Sequence, residues 1–467
     1  MSEKIEKYRQ DISEIDSQIL RLASTRLQIA EKIGAIKRQR NLPVTNLRVE
    51  AEVISRSVKL AKEIGLDEAF TVKLVNMLIV EAVNVQGGAL KNRAPFLYEI
   101  FEKVKALQAD GEKVIRLDAE ELDLSSPADL TDALKDAHSN SFDGYASAKG
   151  LTELRQAIAE DLNQTYGANI DAEQVLITQG EKFAIFSAVL SMISPGNHVA
   201  IAEPAWPFYG SCASLANGRA DTIHTRFEDS WEFDMTEVEE TFTIKPKLFI
   251  LCSPSNPTGK VISQKQLRDI AQLAEKNGTY MLADEVYCAY SAVPFNSILQ
   301  IMDSNFIYIN SLSKRYGMPG WRIGYLVSDV KTITRIQNLI QISVTYVPEF
   351  IQRAALKALK MRPDSFNAFA ESMKRRINIA CRELDKLPVS YIKPEGGMYV
   401  FPKAKLENFN SNDFANKLLE KEKIAIAPGE AFGDYPKHFR ISLGADEMSI
   451  KNGITRMGKA ISRWQEM

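Results

Sequence analysis

Apolar residues at Ile5, Tyr8, Ile12, Ile15, Ile19, Leu22, Ile29, Ile33 and Ile36 recur at alternating steps of three and four. That spacing lays them along one face of a helix of roughly thirty residues, a stripe that has to be covered by other helices. After a break at Asn41-Leu-Pro-Val44, a second helical pattern runs from about Leu47, with Glu50 on the face of Ile54, Val58 and Ala61. A third, from Asp67, carries Phe70, Leu74, Leu78, Glu81 and Val85, with Gln86 close to that face. Three helices of unequal length are too few to cover these stripes alone, which predicts an intertwined helical dimer. Arg26 falls on the first stripe and Lys37 near it. A core-facing charge is costly unless paired, so these positions call for a carboxylate or an anionic ligand.

Beyond a polar stretch from Gly87-Gly88 through Pro95 the pattern changes. Alternating apolar strands and amphipathic helices between about residues 139 and 344 predict a mostly parallel α/β sheet, flanked by a smaller α+β part from residues 96–138 and 345–467. Within the sheet region, Ser311-Leu-Ser-Lys-Arg-Tyr-Gly-Met-Pro-Gly-Trp-Arg-Ile-Gly-Tyr325 sets Lys314 among small residues with Arg322 beyond it. The ε-amine of Lys314 suits it to hold an aldehyde cofactor as an imine, while Ser311, Ser313 and Arg322 suit a phosphate on that cofactor.

Four other segments keep order with that loop. Val175-Leu-Ile-Thr178 leads into Gln-Gly-Glu-Lys182 and then a helix, so the N–H groups of Gly180, Glu181 and Lys182 stand at a helix start, where phosphate binds. Leu248-Phe-Ile-Leu-Cys252 ends in a turn holding Asn256, whose amide can reach a phenolate oxygen. Tyr280-Met-Leu-Ala-Asp-Glu-Val-Tyr287 delivers Asp284 at a strand end, with Tyr287 beyond it; a carboxylate there would keep a pyridine nitrogen protonated. Phe439-Arg-Ile-Ser-Leu443 follows Pro428-Gly-Glu-Ala-Phe-Gly433.

From about Phe96 onward these motifs resemble the class I, fold-type I aminotransferases that use pyridoxal 5′-phosphate. The resemblance implies that Lys314 carries the cofactor, that Asp284 faces its ring nitrogen, that Asn256 bonds its ring oxygen, and that Tyr287 is among the catalytic and cofactor-binding residues. It further implies that Trp206 stacks on the ring, that Tyr145 reaches the phosphate of a neighbouring subunit, and that Arg440 holds the α-carboxylate of the substrate. One departure stands out. Where relatives carry Gly-x-Pro against the substrate, this chain has Glu120 and Leu122, so a side chain narrows or recharges the pocket.

Residues 8–90 resemble the all-helical chorismate mutases, and the similarity maps Arg9, Arg26, Lys37, Glu50 and Gln86 onto active-site positions. It implies that the arginines bind two carboxylates, Arg9 from across a dimer, that Lys37 and Gln86 meet the ether oxygen as it gains charge, and that Glu50 holds the ring hydroxyl. A pericyclic rearrangement needs only a folded substrate and preorganised donors. Asn46, Val49 and Ala82 depart from the residues common at their positions, Val49 replacing an arginine.

Composition excludes several classes. A formal net charge of −2 argues against nucleic-acid binding, and no apolar run approaches membrane length. Residues 1–94 hold sixteen Lys and Arg against twelve Asp and Glu, a mild positive balance that suits a dianionic substrate. The cysteines at 212, 252, 288 and 381 show no metal-ligand or disulfide spacing, and with an N-terminus charged from its start they point to a cytoplasmic protein without a metal. The expectation is a homodimeric fusion of a mutase domain over residues 1–92 with an aminotransferase over 96–467, acting on chorismate, amino acids and 2-oxo acids. The amino acceptor would be an aromatic keto acid, namely prephenate, phenylpyruvate or 4-hydroxyphenylpyruvate. The alternatives are an aspartate aminotransferase on a mutase or silent helical domain and, more remotely, a cofactor-sensing transcription regulator.

Overall fold

The computed structural model describes residues 2–40, 44, 47–83, 85–86, 94–120, 123, 128–139, 144–361 and 364–464. Asn46, Leu122 and the Gly87-Gly88 boundary lie outside them. Two compact units emerge, one built on the N-terminal helices together with Ser194–His198 and Asn217–Arg219, the other on the remaining chain.

In the first unit, α1 (Ser2–Gln39), α2 (Leu47–Ile64) and α3 (Glu68–Val83) form in the order the periodicity predicts. Helix α3 packs against both others and buries Thr71, Asn76, Ile79 and Ala82. The face that α1 turns inward is not the isoleucine stripe. Ala30 and Gly34 are buried and Ala23, Arg26, Leu27 and Lys37 half-buried, while every apolar residue of the stripe from Ile5 to Ile36 stays exposed, from 45% at Ile33 to 71% at Leu22. Small residues let helices approach: a Cβ on Gly34 would lie 2.8 Å from the Cα of Gln86.

The second unit opens with helix α4 (Ala94–Ala109) and is organised by a seven-stranded sheet. Its strands are β1 (Val175–Thr178), β2 (His198–Glu203), β3 (Arg219–His224), β4 (Leu248–Cys252), β5 (Tyr280–Asp284), β6 (Phe306–Ser311) and β7 (Gly324–Val327), in spatial order β1-β7-β6-β5-β4-β2-β3. Strands β2, β4, β5 and β6 pair in parallel, and β7 runs antiparallel to both neighbours. Successive residues enter opposite cores: Phe249 and Leu251 join one cluster, Leu248 and Ile250 the other. A strand buried on both faces has to be apolar at every position, which is why these segments read as unbroken hydrophobic runs. The parallel strands end together, and there the chain sets its polar residues.

Helix α5 (Glu181–Met192) follows β1, and the short α6 (Leu312–Arg315) follows β6. Segments before and after the sheet meet where Ile115–Arg116 pairs in parallel with Ile424–Ala425. Strands β8 (Tyr399–Val400), β9 (Ala427–Pro428) and β10 (Phe439–Ser442) form a three-stranded sheet with β10 central, which fixes Arg440 opposite Ala427.

Candidate active site

Asp284 ends β5 almost wholly buried and accepts a hydrogen bond from the Tyr209 hydroxyl at 2.6 Å and from the Val286 N–H at 3.3 Å. Burial pushes its carboxyl up to about 6, against the downward pull of the Tyr209 hydrogen bond. Beside it, burial and then the charge of Asp284 raise the Glu181 carboxyl well above its ordinary range. A cation or protonated nitrogen placed here would be held by two carboxyls.

Lys314 lies on α6, one strand further along. Its Nζ donates to the main-chain carbonyl of Glu120 at 2.5 Å and sits 5.8 Å from the centre of the Tyr287 ring, while its own carbonyl accepts from the Tyr290 hydroxyl. Ser311 caps α6, its Oγ accepting the Ser313 N–H at 3.3 Å, and both serines are buried.

The start of α5 departs from expectation in one detail. The N–H of Gly180 is spent on the Thr178 carbonyl at 2.8 Å, leaving the Glu181 and Lys182 amides as the helix-start donors. Gly180 contributes shape. Its φ is +79°, and a Cβ there would lie 2.5 Å from the Arg322 guanidinium. Gly324 presses on the same turn, with a Cβ position 2.8 Å from the Glu181 nitrogen. Arg322, itself at φ +52°, donates to Pro319 and Gln179 carbonyls, so the cation is fixed beside the helix start.

Arg440 is buried between the rings of Tyr399 and Phe432. Its Nη1 donates to Asn256 Oδ1 at 2.8 Å and to Glu120 Oε1 at 3.1 Å, and its Nη2 to the Asp118 carbonyl at 2.8 Å. Its Nε is buried without a partner among the described residues. Asn256 also donates to Glu120 Oε1 at 3.1 Å, and the Tyr287 hydroxyl lies 3.4 Å from Glu120 Oε2 and 2.7 Å from the Tyr399 hydroxyl. Burial alone would raise the Glu120 carboxyl, but Lys314 and Arg440 hold it below its ordinary value.

Lys314, Arg322, Arg440, Glu120, Lys182 and Trp206 line one cavity of about 650 Å³. Trp206 stands against Phe208 and Tyr209, and the Lys182 ammonium lies over the Tyr98, Trp206 and Phe208 rings while donating to the Tyr98 hydroxyl. Tyr145 is 93% exposed, edge-on to Tyr346. The cavity, the free amide donors beside Arg322 and the buried acid fit a phosphorylated pyridine aldehyde bound at Lys314. Sequence reasoning missed Tyr209, Tyr399, the Lys182 ammonium and the Glu181 carboxyl, because a lone tyrosine in an apolar segment reads as core and a charge at a helix start reads as a cap.

In the helical unit, Arg26 donates to the Leu78 carbonyl and Lys37 to the Val44 carbonyl at 2.5 Å. Gln86 is buried, its amide donating to the Ala82 carbonyl at 2.9 Å while its Oε1 has no partner among the described residues. Glu50, in the first turn of α2, accepts from Arg219 at 3.2 Å, and Arg9 is exposed beside Glu6. Within one chain Arg26, Lys37 and Gln86 share the seam of α1 and α3, whereas Arg9 lies more than four turns of helix away from Arg26.

Residues 112–457 match the family described as aminotransferase class I and II, and residues 8–87 match chorismate mutase type II. An aspartate aminotransferase of Thermotoga maritima is 32% identical over 371 residues, covering 79% of this chain and 95% of the relative. A probable aspartate/prephenate aminotransferase of Aquifex aeolicus is 32% identical over 373 residues, covering 78% and 94%. The solved Thermotoga maritima aspartate aminotransferase superposes with a TM-score of 0.74 at 31% identity, over 79% of this chain and 97% of that one. The chain therefore belongs to the pyridoxal phosphate-dependent class I and II aminotransferases and carries a chorismate mutase type II domain ahead of its aminotransferase domain.

Proposed function

We propose that the chain converts chorismate to prephenate in its helical domain and transfers an amino group to an aromatic keto acid, prephenate foremost, in the second. The observation that carries this reading is the convergence of Lys314 and Arg440 on one cavity in a chain that also contains a mutase domain. A mutase makes prephenate, whose side chain ends in a keto acid. The name of the Aquifex aeolicus relative couples aspartate with prephenate and supports aspartate as the amino donor. Lys182 supports it too, as a second cation on the cavity wall available to a dicarboxylate.

Arg440 receives the α-carboxylate by a two-point ion pair. Lys314 Nζ, at the cavity wall, is the base that would take the proton from the substrate Cα. When bound, pyridoxal phosphate supplies the sink for the electron pair of the broken C–H bond. Asp284, oriented by Tyr209, would keep the ring nitrogen of the cofactor protonated; Arg322, Ser311, Ser313 and the amides of Glu181 and Lys182 would hold its phosphate, and Trp206 would cover its ring. Asn256 and Tyr287 would hold its ring oxygen, and Tyr145 would extend to the phosphate bound by a second subunit.

In the mutase domain Arg26 and Lys37 bind the substrate with Gln86, whose amide spends one N–H on the Ala82 carbonyl and has a second to offer the ether oxygen. Glu50 holds the ring hydroxyl, and Arg9 enters from a second copy. That copy covers the exposed isoleucine stripe of α1, so the protein works as a homodimer of a cytoplasmic enzyme.

Incubating the purified protein with chorismate and aspartate tests this. Prephenate and then its amino counterpart should accumulate, with oxaloacetate formed in step. Turnover of aspartate with 2-oxoglutarate but with none of the three aromatic acceptors would favour an aspartate aminotransferase instead.

A further inference from the structure

Glu120 stands where a substrate carboxylate belongs. Its Oε1 receives the Arg440 guanidinium at 3.1 Å and the Asn256 amide at 3.1 Å, and its main-chain carbonyl receives the Lys314 ammonium at 2.5 Å. One residue of the chain thus engages both cations through which an amino acid would be bound and processed.

We propose that Glu120 is an internal carboxylate competitor, and that every substrate binds Arg440 by exchange with it. A guanidinium buried between two rings is costly without an anion beside it, so in the resting state the chain supplies one of its own. The hold is incomplete. Glu120 takes a single N–H of Arg440, and Nε remains buried without a partner among the described residues. A carboxylate has two oxygens and matches the guanidinium fork, so an incoming substrate can make the two-point pair that Glu120 does not. Glu120 has a place to go: its Oε2 already lies 3.4 Å from the Tyr287 hydroxyl, which is 2.7 Å from that of Tyr399. A small rotation transfers the carboxylate from the arginine to the phenol pair. The exchange opposes binding of any carboxylate by the same amount, so its removal strengthens all donors alike.

The inference rests on Arg440 being the carboxylate site, and the experiment separates the two. Succinate, a dicarboxylate with no amine to react, is titrated calorimetrically into the holoenzyme as wild type, E120Q, E120A, R440A and E120Q/R440A. Both Glu120 variants should bind succinate about tenfold tighter or more, R440A should lose most of the affinity, and the double variant should behave as R440A does. KM values for monocarboxylate and dicarboxylate donors should fall in parallel in E120Q. Equal or weaker succinate binding by E120Q and E120A, with R440A still impaired, overturns the exchange while leaving the carboxylate site in place. A gain that persists without Arg440, or a KM change confined to one class of donor, also overturns it, showing that Glu120 acts on something else. Wild-type affinity in R440A removes the carboxylate site itself, and the exchange with it.

Discussion

The acids around the end of β5 (Tyr280–Asp284) do different work according to what each one touches. Asp284 has a phenol and an amide to stabilise its charge. Its neighbour Glu285 has one oxygen on the Ile298 N–H at 2.8 Å and the other buried without a partner among the described residues, and burial pushes its carboxyl up to about 8. The folded state therefore holds a proton that the unfolded chain releases near the ordinary value of 4.5. Stability from this group is complete below that value and is lost as pH rises toward about 8, with a slope approaching roughly 1.4 kcal/mol per unit inside the window. Thermal unfolding of E285Q should show a flatter dependence between those limits than wild type; parallel curves would mean that Glu285 is ionised in the fold. Gly324 governs the same region by shape. A Cβ there meets the backbone of Gly180 and Glu181, which cannot yield as a side chain would, so G324A should shift the start of α5 at a cost of about 1–3 kcal/mol. Fluorescence titration should find weaker binding of pyridoxal phosphate to this variant than to wild type.

At the scale of elements, α1 (Ser2–Gln39) carries two stripes with different partners. The inward one includes Ala23, Leu27, Ala30, Gly34 and Lys37, in a helix that packs against α3; the isoleucine stripe stays exposed among the described residues. Burying that outer stripe against a second copy would be worth about 25 cal/mol for each square ångström removed from water. The double variant Ile12→Lys, Ile19→Lys should therefore dimerise more weakly in sedimentation and lose mutase activity, and a dimer of unchanged strength would place the interface elsewhere. The contrast marks how far the sequence could be read. Large residues at helical spacing announced a helix and a buried face, but the positions of α1 buried within the chain are Ala30 and Gly34, small residues that hydrophobic periodicity passes over. The sheet was plainer, since β4 to β6 are apolar up to their last one or two residues, and Asp284 and Asn310-Ser311 stand where the runs of β5 and β6 stop. The lysine loop, the helix start and Arg440 were legible through their motifs. Glu120 was visible as a departure, but its grip on Arg440 depends on residues 320 positions apart meeting in space, which no local pattern records. The loss of the Gly180 N–H to Thr178 is a matter of turn geometry and was equally hidden.

Over the whole chain, two chemistries of opposite character are carried by two compact units. The mutase reaction needs only donors fixed in place, whereas transamination would need a cofactor held at one lysine to supply an electron sink. The residues proposed for each belong to separate units, and no side chain is assigned to both. Removing the ε-amine in K314A should abolish amino transfer and the absorbance of the cofactor bound to the lysine, yet leave prephenate formation within about twofold of wild type, since sites without shared partners act nearly additively. The reverse holds for R26A. Its loss removes a cation from the helical seam and should lower kcat/KM for chorismate by about a hundredfold or more, the range for deleting one preorganised donor, with transamination of aspartate retained. Measuring both activities in both variants makes the comparison self-controlling. If R26A impaired the two reactions equally, Arg26 would be serving the integrity of the dimer rather than the rearrangement, and the helical domain of this chain would be a scaffold for the aminotransferase.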